Sequence, residues 1–442
     1  MVKGEQANAI GDGNDAYGHF TQSVGDNNKV YADHSLGYGA HNKVGAQRAI
    51  GTPEKDVVVD KNTNKASVFG LNNVVLGKEV LALGNNNNVN GKNSTAIGIQ
   101  STVNGENSTA IGIQSTADGL NALAIGVGAK AHVTNPAAAN SNKPGNLVAI
   151  GTSAEATAAE TVAIGQAAKA SGQNSNAYGS QANASGTSSL AVGTGSVASG
   201  DSAVAIGNDS TVTGDSAVAI GASATSTGKW STALGDRANA KGEKSVALSN
   251  DSYAKDDNSV ALGSGTITRS ATQENTATVN GITYSGFAGN TPVAVVSVGS
   301  DKTETYTPPD HSTPGRTVTI TPHTRQIINV GAGEISSTST DAINGSQLYM
   351  VADQVGKNKT RIDNIRVRTS DVKVKAGDNI NVQEAYDDAN QVKTYTVSTA
   401  KDIKADSYTV NNSSVQINQN GINAGNKNIT NVADPKASTD AA

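Results

Sequence analysis

Apolar positions recur in this chain on a fixed frame. From residue 151 to residue 263, a small residue, an apolar residue and a glycine return every fourteen positions through nine slots. Gly151, Gly165, Gly179, Gly193, Gly207, Gly221 and Gly235 mark the period, Ser249 stands in the next slot, and Gly263 resumes it. Each glycine follows a pair such as Ala163-Ile164, Ala205-Ile206 or Ala261-Leu262, and a second glycine lies seven residues on, from Gly172 to Gly242. A constant period of this kind signals stacked identical units and outranks local propensity. Fourteen residues are too few for a helix pair but accommodate two short strands, each closed by a tight turn. Glycine suits the turns because it takes φ > 0 without steric cost. The pattern therefore predicts coils stacked in parallel about 4.8 Å apart. The apolar residue before each glycine is expected to point inward, with alanine beside it because the interior is narrow. By the same logic the alanine-rich stretch 154–170, which could score as helix, belongs to the rungs.

The frame extends to the N-terminus with interruptions. Gly11, Gly25, Gly37 and Gly51 read as successive rungs, and Gly70, Gly84, Gly98, Gly112 and Gly126 are again regular. A five-residue bulge is expected between Gly51 and Gly70, and an eleven-residue surface insertion between Gly126 and Gly151. Eighteen rungs result, roughly 80 Å of stack at the strand spacing. Coils this narrow bury little apolar surface alone, so several copies are expected to associate along the axis.

Beyond Gly263 the period stops. Residues 302–306 and 316–321 alternate as strands around a Pro-rich turn, which predicts a protruding hairpin. Helix follows, with Thr340 or Asp341 as N-cap. Leu348, Val355 and Ile362 fall at heptad position a, and Val351, Asn358 and Ile365 at d, a short coiled-coil seam with one polar layer that sets register. Strands are expected again at 372–375, 379–382, 394–397, 408–410 and 415–417.

Composition narrows the chemistry. The net charge of −5 excludes a basic nucleic-acid face, and the absence of cysteine excludes disulfides and thiolate metal sites. No apolar run is long enough for a membrane helix. The first residues are not a signal peptide and the last are not a natural domain end, so the chain reads as an excised piece. Motifs for serine hydrolysis, zinc peptidases and phosphate loops are absent. His34 and His41, half a rung apart, could contribute to a metal site between chains or be solvated turn residues. Trp230 could be a surface contact or a packed rung residue.

These features together resemble the trimeric autotransporter adhesins of Gram-negative bacteria over nearly the whole chain. The fourteen-residue repeats look like a YadA-like head, which implies a trimeric left-handed parallel β-roll, mainly β in class. Residues 284–299 resemble the head insert motif, 325–348 the neck that funnels head into stalk, and 420–432 the stalk connector called the GIN domain. The implied domains are a head at 1–263, the insert with its hairpin at 264–324, the neck at 325–348, a coiled coil at 349–368 and a GIN-like β domain at 369–442. The resemblance implies a homotrimeric adhesin without catalysis, held at the bacterial outer membrane by a barrel not present in the sequence. It also implies an asparagine layer at Asn358 able to hold an axial anion such as chloride, and no other cofactor or metal. Implied partners are collagen, fibronectin, laminin or a host cell receptor. A left-handed β-helix acyltransferase, with period six, and a phage tail fibre are the alternatives. Candidate ligand contacts are His132, Asn140, Lys143, Tyr306 and His311 in the two interruptions, and Asn93, Asn107 and Asp201 on the repeat surface. Gly98, Gly112, Gly165, Gly207 and Gly221 are the structural turn glycines.

Overall fold

A computed structural model of the chain describes residues 1–45, 64–133, 145–307, 315, 317–370, 372–389, 392–409 and 415–431. Two compact units result, Met1–Ile328 with Ser336–Thr340, and Asn329–Ile335 with Asp341–Ala442.

The first unit is a parallel β-solenoid. Each rung holds a strand such as Val162–Ile164 and a two-residue strand such as Lys169–Ala170. The first kind stack into an 18-stranded sheet and the second into a 16-stranded sheet. Register is in steps of fourteen, with Ala163 opposite Ala177 and Lys169 opposite Asn183, so a six-residue coil is ruled out for this region. Residues 154–170 are rungs as expected, in strands rather than helix.

The inward residue is the alanine, which reverses the expectation. Ala163, Ala177, Ala191, Ala205 and Ala219 are fully buried, while Ile164, Tyr178 and Ile220 are more than a third exposed. Successive side chains on a strand face opposite ways, so only one of each Ala–Ile pair can enter the core. The core is a thin seam between this alanine column and a Val/Ala column on the other sheet, from Val30 through Val103 to Ala254. At one point the first column shrinks: Gly37 occupies an alanine slot opposite Ser23, and a Cβ there would lie 2.7 Å from Val30 Cγ2.

That placement also corrects the frame. Gly25 pairs with Gly39, not Gly37, and the strand Leu36–Ala40 pairs directly with Ser67–Leu71, while Gly51, expected to mark a rung, lies outside the described residues. The interruption lies wholly between Gly39 and Gly70, and its central residues 46–63 fall outside the described set. At the far end the solenoid runs past Gly263: Val296–Ser297 adds to the long sheet beside Val260, and Ile267 bridges to Tyr253. Within the expected insert, Thr276–Val279 and Ile282–Ser285 form an antiparallel pair, as do Glu304–Tyr306 and Val318–Ile320. The run 293–298 contributes only Val296–Ser297 as strand.

Two glycine columns pace the stack for different reasons. Gly207 has φ +135°, and an added Cβ would lie 2.3 Å from the carbonyl oxygen of Gly221 one rung on. Gly214 has no left-handed φ, yet its Cβ would lie 2.2 Å from the Gly228 oxygen. Contact with the next rung is thus the shared constraint, and positive φ is additional at the first column.

Turn closure differs along the stack. In the later rungs the carbonyl of each turn glycine accepts the N–H three residues on, as in Ala168 to Gly165 at 3.3 Å. In five early rungs an asparagine fills that position: Asn14, Asn28, Asn42, Asn73 and Asn87, all buried. Asn28 Nδ2 donates to the Val24 and Gly39 carbonyls at 3.0 and 2.7 Å, and its backbone N–H donates to Asn14 Oδ1 at 3.0 Å. The column satisfies buried backbone groups on two rungs at once.

The second unit contains the helix Gly345–Ser370. Its N-cap is Asn344, rather than Thr340 or Asp341: Asn344 Oδ1 accepts from Gln347 N at 3.3 Å and Ser346 Oγ at 2.7 Å. Gln347 in turn clamps the preceding extended chain, donating to the Gly333 carbonyl at 2.7 Å and accepting its N–H at 3.1 Å. Ile380–Asp387 pairs antiparallel with Val392–Thr399, and Ser407–Thr409, Val415–Asn418 and Gly421–Ala424 form a three-stranded sheet. Residues 372–375, expected as strand, are not one.

Gly214→Ala is expected to lower the stability of the solenoid by about 1–3 kcal/mol, as overpacking against backbone does. Thr213→Ala, exposed beside it, should melt like the parent; equal melting of both variants by circular dichroism would contradict the close-approach account.

Candidate functional site

The strand alternation that turns alanine in turns the larger residues out. Ile164, Tyr178, Ile220, Leu234 and Leu262 lie between 36% and 47% exposed, on one face of the long sheet. Val148, Val162, Val204 and Val218 flank them, half-buried. In the early rungs Leu71, Ile99 and Ile113 add a further exposed position after the glycine. A continuous apolar face of this extent is an association surface rather than a solvated one. On the helix, Leu348, Val351, Val355, Ile362 and Ile365 are all more than half exposed at heptad spacing, which is the seam of a coiled coil without its partners. Asn358 is exposed in the same heptad frame, and its Oδ1 accepts from Gln354 Nε2 at 3.0 Å.

The turn tips are polar. A residue with left-handed φ recurs every seven positions, and most are not glycine. One column runs Asn93, Asn107, Asn121, Asn146, and their amides form a ladder at 3.0, 3.2 and 3.1 Å. Asn93 and Asn107 are thus exposed, but each is engaged with its neighbours on the ladder. Asp201 uses its carboxylate to accept the Thr187 N–H at 3.0 Å, so it also helps to close a turn. His34 belongs to this column and stacks on Phe20 at 5.0 Å. Among the described residues no cluster of His, Asp and Glu could hold a metal ion. Trp230 stands at a tip and is 48% exposed, so it is no packed rung residue.

The interruptions divide. His132 is half-buried just after the strand Lys130–Ala131, its N–H bonded to the Ala156 carbonyl at 3.0 Å. Asn140, Lys143 and His311 lie outside the described residues. Tyr306 is a packing residue rather than a surface contact. It is 8% exposed, clusters with Tyr253, Ile267, Val318 and Ile320, and donates its hydroxyl to the Arg237 carbonyl at 2.7 Å. Arg237 forms a two-pronged bond to Asp251 at 2.6 and 3.0 Å, and Lys255 binds both oxygens of Glu304 at 2.9 and 2.7 Å. The strand pair 304–306 and 318–320 is thus fastened to the side of the last rungs. Sequence reading missed this latch because its partners lie 49 and 69 residues apart. Arg325 is a second fastening: its guanidinium donates to the Val298 and Ser264 carbonyls and to Thr266 Oγ1.

A glycine-paced solenoid with an apolar outer face, followed in sequence by a heptad helix, defines a class: a repetitive head with a coiled stalk. The family described as the YadA head domain repeat matches residues 81–101, 104–129, 148–168, 156–182, 170–196, 198–224, 226–248 and 250–266, and that described as the coiled stalk of trimeric autotransporter adhesin matches 326–371. Head repeats and stalk segment alike make the chain similar to the trimeric autotransporter adhesins. It is 31% identical over 173 residues to the autotransporter adhesin BtaE of Brucella suis, covering 36% of this chain and 20% of that one. It is 36% identical over 115 residues to the trimeric autotransporter adhesin AtaA of an Acinetobacter species, covering 20% of this chain and 3% of that one. The chain therefore spans a fifth or less of these relatives. Among solved structures, the C-terminal YadA-like domain of a Burkholderia pseudomallei protein is 36% identical, covering 34% of this chain and 60% of its own at a TM-score of 0.24. The collagen-binding domain of the Yersinia adhesin YadA is 24% identical, covering 50% and 98% at a TM-score of 0.28.

Burial, and next the nearby Asp251 carboxylate, raises the Tyr306 phenol above its usual range. A folded pKa above the unfolded value of about 10 means that stability is complete below pH ~10 and falls as pH rises through and beyond it, because only the unfolded chain loses the proton. The end of the solenoid is therefore expected to loosen in alkali, and Tyr306→Phe to flatten that dependence. Melting temperatures across this range that change equally in both proteins would contradict it.

Proposed function

We propose that this chain is the host-contacting part of a bacterial surface adhesin and works without catalysis as a homotrimer. The observation that carries the reading is the uninterrupted apolar face of the long sheet. Each large residue buried there by another copy contributes up to about 1.5–3 kcal/mol, which the thin alanine seam cannot supply. The heptad seam of the helix has the same need for partners. In this arrangement Asn358 stands in the interior of the three-helix seam, where an asparagine layer sets register and can hold an anion such as chloride. The whole protein is extracellular and held at the outer membrane. Among the described residues no helix is long and apolar enough to cross a membrane, and the anchor is proposed as a β-barrel.

The partner is an extracellular matrix protein such as collagen, fibronectin or laminin, or a host cell receptor. Repeated polar tips on three copies give many weak contacts, and avidity multiplies them without any deep pocket. Asn93, Asn107 and Asp201 are the contacts proposed on the repeats. His132, Asn140, Lys143 and His311 are those proposed in the interruptions, from which Tyr306 is now removed.

Light scattering of the purified chain is expected to give three times the chain mass. Ile220→Asp with Leu234→Asp should abolish that assembly and, with it, retention on surfaces coated with collagen, fibronectin or laminin. A folded monomer that binds such a surface as well as the parent does would overturn the proposal.

A further inference from the structure

The single tryptophan of this chain sits where an aromatic is sterically disfavoured. Trp230 has φ +56°, a left-handed conformation that bulky side chains rarely adopt. The three preceding rungs place Ser188, Ser202 and Ser216 at the same tip with φ of 55°, 55° and 53°. Packing does not account for the exception, because the indole is 48% exposed and its turn is already closed by Trp230 N donating to the Asp215 carbonyl at 2.9 Å.

What surrounds the ring is cationic. The Lys229 ammonium lies 4.3 Å from the ring centroid, and that of Lys244, one rung on, lies at 5.1 Å. Lys244 shares its charge with Glu243 at 3.0 Å, whereas Lys229 makes no ion pair among the described residues. Asp215, one rung before Lys229, engages its Oδ1 with the Asp201 N–H at 3.2 Å. In a chain of net charge −5, this is an aromatic plate with two ammonium groups and hydroxyl-bearing tips beside it.

We propose that Trp230, Lys229 and Lys244 form a binding site for an anionic saccharide. A pyranose offers a C–H face to stack on the indole, and its carboxylate or sulfate takes up the ammonium groups. Exposed cation–π contacts are weak enough to be exchanged for that stacking. An apolar peptide fits less well, because the tips on either side, Ser216 and Lys244, are polar and give it nothing to cover. The site deepens the adhesive reading by naming a ligand class at one place on the head, and it rests on that reading for its biological use.

With one tryptophan, fluorescence excited at the red edge of the absorption band, where the eleven tyrosines do not absorb, reports this site alone. Heparin-derived oligosaccharides, sialyllactose, a neutral maltose oligomer and a collagen-like proline-rich peptide would each be titrated in low and high salt. A saturable emission change is expected with the sulfated or the sialylated probe, and which of the two responds identifies the source. The change should weaken as salt rises, and Lys229→Gln with Lys244→Gln should weaken binding about tenfold, as loss of a charge-assisted contact does. Trp230→Ser, which restores the residue of the preceding rungs, should melt like the parent and lose binding to the immobilised saccharide. Silence of both anionic probes, a response to the neutral oligomer or the peptide instead, or undiminished binding by the folded Trp230→Ser protein would overturn the proposal. Attachment to coated matrix surfaces is measured beside it. If the parent attaches while both anionic probes stay silent, this site is refuted and the adhesive reading stands.

Discussion

The approach of each backbone turn to the carbonyl of the next rung is the constraint on which this molecule depends. Parallel stacking fixes the rung spacing, and at two points per rung the backbones come so close that glycine fills most of the slots, with Ser249 and Asp256 as exceptions. Gly98 shows the limit: an added Cβ would lie 1.8 Å from the Gly112 oxygen. Once the coil is this tight, the space between its two strands is filled mostly by alanine and valine. A core of that width leaves most of the isoleucines, leucines and tyrosines outside, many of them on the long sheet, with Leu147 a buried exception. The narrow coil and the need for other copies are therefore one fact seen from two sides.

Much of this was legible in the sequence. The fourteen-residue period, the strand pairs and the turn glycines follow from spacing alone, because a solenoid repeats its contacts as its sequence repeats. The direction of the Ala–Ile pair was not legible. A period of two distinguishes two faces without saying which is the core, and hydrophobicity names the wrong one when the apolar face is covered by another chain. Gly37 misled for a related reason, since glycine serves both as a turn residue and as the smallest interior residue. The buried asparagines had a readable signal, one at the third position after the turn glycine in five rungs, but exposed asparagines on the tips masked it. Tyr306 was assigned to a surface loop because nothing local announces that Tyr253 and Arg237, far back in the chain, lie beneath it.

The division of labour along each rung bears on function. Interior and sheet positions are fixed by contact with the next coil, so a substitution there is felt through the stack. Most tips at left-handed φ face solvent, Asp209 and Ser223 excepted, and they carry residues such as Asn, Gln, Ser, Glu, Lys and Trp. Their side chains can vary as long as each tolerates that φ, which makes them the positions where one scaffold can acquire different contacts. The asparagine ladder and the Trp230 tip are two outcomes of that freedom.

Because the chain has no cysteine, single replacements can report which side of the strand is which. Thiol labelling of Ala205→Cys, Ile206→Cys and Ser216→Cys in the assembled protein tests the account most directly. The predicted result is rapid labelling at 216 and protection at both 205 and 206, with 206 becoming reactive as soon as the copies are separated and 205 only when the chain unfolds. Labelling of 206 in the assembled protein as fast as 216, or exposure of 205 before 206 on dissociation, would contradict it.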